Sequence, residues 1–351
     1  MRALKEVRGL LRFFWAHALS MSGCLWWAKR QLREQNAVIV LMFHRVLDAA
    51  AQAHTHSQAA IVVRAETFCK LVEYAMREFK PARLEDLRGG RAAEKLPLIF
   101  TFDDGWRDTY TVAFPIVCRL QVPCIVFVCP GLVGQEAPFW PERAVALLAD
   151  TQTAAQVDDA IERMKRMRSL EREHYLAELA GRAAPETSHP SWAVDSTMSW
   201  RQIGEMHQAG VLFGSHTFTH QILTTVTAET AAEELRESRA ALEKSLARPC
   251  TAFAYPNGNS SAEIRQIVAD SDFRFALTTE KGAWTPDCDP LAIPRMNVCE
   301  ENVVGPGGRF SPAVFEYAIV WKAWRALRSK KDCPRPAAAE AYQPGAAGRA
   351  L

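Results

Sequence analysis

Two short segments hold the residues best suited to chemistry. In LIFTFDDG, Leu98 to Gly105, the carboxylates Asp103 and Asp104 close an apolar run. Like charges so close disfavour joint ionisation, and a bound divalent cation would relieve the conflict. Strand side chains alternate in direction, so one carboxylate can ligate a metal while the other faces a reacting water. Two plainer arrangements fit the same pair: a cap on the following helix, or an ion pair with an Arg. In SHTFTH, Ser215 to His220, two imidazoles stand four residues apart. That spacing brings both onto one face of a helical turn and suits a divalent transition metal. Alone, the match describes a surface pair equally well; two histidines with one carboxylate form a catalytic metal set with open positions. His44 closes a third apolar run, AVIVLMFH, and either faces the same cleft or holds a loop by local hydrogen bonds.

The elements that would position these residues alternate. Apolar runs of strand length at 37–44, Leu98 to Phe102 and Cys124 to Cys129 enclose helical patterns at Glu66 to Phe79 and Thr109 to Leu120. Such βαβ alternation implies a largely parallel sheet whose strand ends converge on one face, where ligands bind. Helices at Trp200 to Ala209, Thr227 to Leu246 and Ala262 to Ser271 alternate with strands at Val211 to Phe213, Thr251 to Tyr255 and Phe275 to Thr278. A strandless stretch over 140–184 reads as a helical insertion.

Composition sets limits. The 351 residues carry 42 Lys and Arg against 40 Asp and Glu, which gives no general case for a nucleic-acid partner. The nine cysteines include no C-x-x-C pair and several lie in apolar runs, which favours free thiols, a reducing compartment and a cytoplasmic location. Leu10 to Ala28 is apolar after Arg2, Lys5 and Arg8, but Arg12 and His17 interrupt it and no small-x-small cleavage site precedes Lys29. It reads as an amphipathic helix that docks on its own domain or lies in a membrane interface. A second such helix starts at Pro312, with Trp321, Trp324 and late basic residues, followed by a Pro and Ala-rich tail expected to be disordered.

These motifs resemble the NodB-homology polysaccharide deacetylases, carbohydrate esterase family 4. TFDDG at Thr101 to Gly105 and SHTFTH at Ser215 to His220 are similar to the family's first two motifs. LMFHRVLD at Leu41 to Asp48, FAYPNG at Phe253 to Gly258 and IPRMNV at Ile293 to Val298 resemble its exopolysaccharide-biosynthesis branch. The likeness covers roughly 37–300. It implies an α/β fold, a distorted (β/α)7-type barrel over 37–308, with the insertion at 140–184 and flanking helical regions at 1–36 and 309–351. It also implies Asp103 as general base and Asp104, His216 and His220 as ligands of one divalent metal, zinc, with cobalt or nickel as alternatives. The substrate implied is an acetylated sugar, N- or O-linked, of a glycan or its lipid-linked precursor at the inner face of the membrane. An amidohydrolase of small cyclic amides and a silent glycan-binding homologue are the alternatives. Oligomeric state does not follow.

The chain departs from the family at two places. Its third motif, FRPPYG, has Ala254 and Asn257 where the Arg and Tyr belong. Arg295 is therefore expected to support the base, and Asn257, with Tyr255 and Pro256, to line the oxyanion and substrate site. The family's L-x-H histidine has no counterpart after His220, so His44 becomes the candidate proton donor.

Overall fold

The structure, a computed structural model, describes residues 2–88, 94–135, 139–182 and 192–329. His189, Cys333, the last residues of the expected insertion and the expected tail after 329 lie outside the described residues. The chain opens with helices α1 (Arg2–Met21) and α2 (Cys24–Glu34), broken at Gly23, whose φ of 76° lies in the left-handed region. Then come β1 (Ile39–Phe43), β2 (Arg45–Leu47), α3 (Ala49–Gln52), β3 (Val62–Arg64), α4 (Ala65–Glu78), β4 (Lys80–Pro81) and β5 (Pro97–Phe102). A π turn over Thr109–Ala113 runs into α5 (Phe114–Arg119) and β6 (Cys124–Val128). The insertion is three helices, α6 (Trp140–Leu148), α7 (Ala154–Met164) and α8 (Ser169–Arg182). They close on a small core of their own, with Val157, Ile161, Met164 and Leu176 buried against Trp140 and Ile222. The remaining elements are α9 (Trp200–Gln208), β7 (Leu212–Ser215), α10 (Ala228–Leu246), β8 (Ala252–Ala254), α11 (Ala262–Asp270), β9 (Phe275–Leu277), β10 (Met296–Asn297), α12 (Glu300–Val303), α13 (Pro312–Glu316) and α14 (Lys322–Ser329).

The main sheet is parallel throughout, in the order β10-β1-β5-β6-β7-β8-β9, with β4 on the start of β5. It is curled into a barrel-like shape. Ile293 bridges Leu277 of β9, and Met296 three residues on pairs with Leu41 of β1, so one short segment ties the two edges together. Val40, Ile99, Ile125, Phe127 and Leu277 fill the inside, while Leu41, Phe43, Phe100, Phe102 and Val126 pack under the helices. Burial on both faces is why these strands read as unbroken apolar runs rather than alternating ones. The inward parity of Ile99 and Thr101 continues to Asp103, which carries a carboxylate into the barrel mouth.

Candidate metal centre and active site

The site is built on strand ends. Asp103 follows β5 and is 1% exposed, and Arg295, 0% exposed, grips it through two bonds: Nη1 to Oδ1 and Nη2 to Oδ2, both 2.7 Å. Arg295 reaches it because it lies in the segment that joins the sheet's edges. Its Nε donates to the carbonyl of Thr278 (2.9 Å) and its Nη1 also to Thr101 Oγ1 (3.1 Å), which fixes the fork. Burial works against a charge on Asp103, but the Arg295 guanidinium overrides it and holds the carboxyl below its ordinary range.

Asp104 turns the other way. Its φ of 72° is the left-handed region that a non-glycine residue enters only under constraint, and Gly105 after it has the same φ. A Cβ on Gly105 would stand 2.8 Å from Val128 Cγ1, so the turn also needs the missing side chain. The turn delivers Asp104 Oδ1 to His216 Nε2 (3.3 Å) and His220 Nε2 (3.4 Å), while Trp106 Nε1 donates to Oδ2 (2.9 Å). One donor atom from each of Asp104, His216 and His220 falls within 4.8 Å of the others. His216 Nδ1 lies 2.7 Å from the carbonyl of Ala254; a carbonyl only accepts, so Nδ1 carries the proton and Nε2 offers its lone pair to the cluster. Burial opposes ionisation of Asp104, yet contact with the two imidazoles holds its carboxyl well below the usual carboxylate range. A carboxylate and two imidazole nitrogens converging from a buried wall fit a divalent transition metal.

The two histidines are not on a helical turn, as their spacing suggested. They lie in the loop after β7, where Thr217 and His220 both have φ of 62°. Glu234 of α10 organises that loop by accepting from the N–H groups of Phe218 and Thr219 (2.8 Å each) and from Thr219 Oγ1 (2.6 Å). Four residues thus return two imidazoles to one point by a strained turn rather than by helical rise. Glu234→Ala is expected to weaken cation binding about tenfold with little change in thermal stability, as loss of an outer-shell partner does; a cobalt titration followed by absorbance would measure it.

His44, at the end of β1, faces the same cleft with Nε2 3.9 Å from Asp103 Oδ2, and its Nδ1 has no hydrogen-bond partner. Burial pushes its pKa down, only partly offset by Asp104 and Asp103, so the resting imidazole is neutral. Of the three residues expected around the oxyanion, Asn257 lines the cleft with φ of 58°. Tyr255 spends its N–H on the carbonyl of Leu277 (3.0 Å) and its hydroxyl on that of Leu291 (2.9 Å), and Pro256 has no N–H to give. Neither can donate to an oxyanion, although Tyr255 lines the cleft; the backbone N–H of Asn257 is the candidate donor.

The cleft measures about 350 Å³, and the insertion supplies one wall of it through Trp140 and Glu142 of α6, Glu162 of α7 and Lys165 just beyond its end. Glu142 escaped the sequence reading, since a Glu in the first turn of a helix looks solvated. It is 3% exposed, accepts from Ser57 Oγ at 3.0 Å through Oε1, and has no partner for Oε2. Burial raises its pKa to about 8, with Asp104 adding to the effect and Arg45 opposing it. Between about pH 4.5 and 8 the folded chain therefore keeps a proton that the unfolded chain has released, and stability falls as pH rises across that window. Glu142→Gln is expected to be more stable than wild type at pH 8 and nearly equal at pH 5. The gain is at most about 1.4 kcal/mol per pH unit between them, read by urea unfolding.

A second buried cluster supports the first. Arg45, 0% exposed, donates from Nε to Asp108 Oδ2 (2.7 Å) and from Nη1 to Asp195 Oδ1 (2.9 Å) and Ser57 Oγ (2.6 Å). Its guanidinium lies 4.2 Å from the ring centre of Trp106, the same Trp that donates to Asp104.

Comparison with known proteins agrees with this architecture. A Polysaccharide deacetylase family model matches residues 90–276, more than half of the chain. The Bacillus subtilis (strain 168) protein YxkH is 22% identical over 219 residues, 62% of this chain and 57% of that one. The poly-beta-1,6-N-acetyl-D-glucosamine N-deacetylase of Escherichia coli (strain K12) is 31% identical over 91 residues, 26% of this chain and 13% of that one. The chain thus spans less than two thirds of either relative. Among solved structures, the Streptococcus pyogenes deacetylase PplD in complex with acetate superposes with a TM-score of 0.55 at 19% identity, covering 81% of this chain and 98% of that one. IcaB from Ammonifex degensii gives 0.52 at 21% identity, covering 76% and 93%. At these identities the structural likeness establishes the fold, and with the family model matched over more than half its length the chain belongs to the polysaccharide deacetylase family, the NodB-homology fold of carbohydrate esterase family 4.

Proposed function

We propose that the chain hydrolyses acetyl groups from an N-acetylated sugar of a glycan or its lipid-linked precursor. The observation that carries this reading is the split of the carboxylate pair: Asp103 held ionised by Arg295, and Asp104 turned into a three-donor cluster beside it. The named activity of the Escherichia coli relative supports an N-acetylhexosamine substrate, and the acetate in the Streptococcus structure supports the acetyl group. Asp104, His216 and His220 would hold one divalent cation, zinc by preference, which when bound polarises the acetyl carbonyl and acidifies water.

The remaining steps belong to the chain's own residues. Asp103 takes a proton from the attacking water as the new bond forms between its oxygen and the acetyl carbon. The N–H of Asn257 faces the oxygen that gains charge. His44, neutral at rest, receives the released proton and passes it to the leaving nitrogen as the carbon–nitrogen bond breaks, giving acetate and an amine. His44→Ala is expected to lower kcat about 10²-fold with cation affinity unchanged, the lower end of general acid–base effects; unchanged turnover would remove His44 from the mechanism. Cytoplasmic location, expected from the unpaired cysteines, stays part of the proposal.

The test is acetate release from acetylated chitooligosaccharides and poly-N-acetylglucosamine oligomers, after chelation and again after zinc, cobalt or nickel is restored. Cation-dependent release is the expected result. Turnover of small cyclic amides alone would point to an amidohydrolase, and glycan binding without turnover to a silent homologue.

A further inference from the structure

Among the described residues, eight of the nine exposed large hydrophobic side chains belong to α1 and α2, including Leu11, Phe14, Met21 and Trp26 at 64, 66, 88 and 63% exposure. The helix pair is apolar on two faces. One face is docked: Ala16 packs on Ala313 and Val314, and Leu25, Ala28 and Leu32 are buried. The docking is reinforced by Lys29, which bonds Glu316, and Arg12, which donates to the carbonyl of Glu301. On the other face Val7, Leu11, Phe14, Ala18 and Met21 recur every three or four residues and form one uncovered stripe. Single exposed apolar residues are ordinary, whereas a contiguous stripe marks a contact surface.

The rim of the stripe identifies the contact. By sequence, residues 2–34 hold seven Lys and Arg, two of which, Arg12 and Lys29, serve the docked face, against two acidic residues, and 322–329 hold three against none, in a chain whose totals are 42 and 40. Of the two acids, Glu34 is already taken by Arg30 at 2.7 Å. Trp27 packs edge-on against Trp324 at 4.9 Å, the Arg328 guanidinium of α14 lies 5.1 Å from the Trp324 ring centre, and Arg325 and Arg328 are both exposed. Burial, then the positive charges of Lys281 and Arg12, push the Lys322 ammonium below its ordinary range. Two copies facing each other through this surface would oppose like charges across a two-fold axis. No described helix is long and apolar enough to cross a membrane.

We infer that α1 and α2 form a surface anchor for an anionic bilayer: the stripe enters the boundary between headgroups and acyl chains, the Arg and Lys rim meets lipid phosphates, and the opposite face stays on the barrel. The sequence left docking and membrane contact as alternatives; the two faces allow both at once. The anchor also reaches the cleft rim. Arg12 bonds Glu301, next to Asn302, whose Nδ2 donates to the carbonyl of the cleft residue Asn297 at 2.9 Å.

The test is flotation of the full chain with vesicles of phosphatidylglycerol and phosphatidylcholine against phosphatidylcholine alone, which reads binding without requiring turnover. Retention on the anionic vesicles is expected, weakened by high salt and reduced at least tenfold by Leu11→Glu with Phe14→Glu. Thermal unfolding and acetate release from a soluble oligosaccharide should stay at wild-type values in that variant. Equal retention of variant and wild type, or no retention of wild type, overturns the inference. A concentration-dependent dimer lost in the same variant would assign the face to a second copy and overturn it as well.

Discussion

Asparagine at position 103 is expected to lower acetate release about 10³-fold or more, toward the upper end of what a general base contributes, while cation affinity stays within a few-fold of wild type. The substitution keeps the volume and one oxygen acceptor for Arg295 but removes the charge that accepts the proton. The geometry separates this loss from metal loss, because Asp103 bonds Arg295 inside the barrel, whereas Asp104 makes the contacts to His216 and His220. Asp104→Asn should accordingly fail to bind the cation at all useful concentrations. The paired measurement is acetate release with cation content at saturating zinc. A variant at 103 that lost its metal along with its activity would show that the two carboxylates are not divided in this way. Burying Arg295 without its full counter-charge also costs stability, so activity is compared at a temperature where both proteins are folded.

Features that depend on local spacing were legible from the sequence. The apolar runs before Asp103 and His44 are strands because both of their faces are covered, and strand ends in a parallel sheet meet at one mouth. Helix starts were legible where a side chain caps them: Thr227 Oγ1 accepts from the N–H of Thr230, and α10 begins at the next residue. The conformation of SHTFTH was not, because an H-x-x-x-H spacing is compatible with a helical turn and equally with a loop whose second and last residues are left-handed. The break at Gly23 was also missed, since the apolar pattern runs on across it.

What sequence spacing hides most completely is pairing across the chain. Asp103 and Arg295 are 192 residues apart, and Arg45 lies 63 residues from Asp108 and 150 from Asp195. Nothing local in HRV or in AVDST signals that Arg45 and Asp195 are buried together. The sole hint was chemical: a charge next to an apolar strand end needs a partner. Arg295 was expected beside Asp103 by another route, because the resemblance calls for a supporting Arg that Ala254 cannot supply, and not from this chemical hint. The hint was not applied to Arg45, whose neighbour His44 absorbed the functional reading.

Methionine at position 45 is expected to cost about 3–5 kcal/mol of stability, the usual result of removing one member of a buried ionic group. Met fills much of the same volume, so the loss is electrostatic rather than a cavity: Asp108, 6% exposed, and Asp195, 0% exposed, would stay buried without their cation. Burial already raises the pKa of Asp108 with Arg45 in place, while Asp195 is held far below its ordinary range, against burial, by His56, Thr55 and Arg45. Without Arg45 both folded pKa values rise. A carboxyl whose folded pKa exceeds its unfolded value binds more protons when folded, so the variant's stability falls as pH climbs. The deficit against wild type should be smallest near pH 4 and largest near pH 7, measured by urea unfolding across that range. Adding Asp108→Asn and Asp195→Asn to the variant should recover part of the loss, because the three residues act as one unit and their effects do not add. A deficit independent of pH would mean that Arg45 serves by packing against Trp106 rather than by charge, and cation affinity at Asp104, which Trp106 supports, would then fall in step with stability.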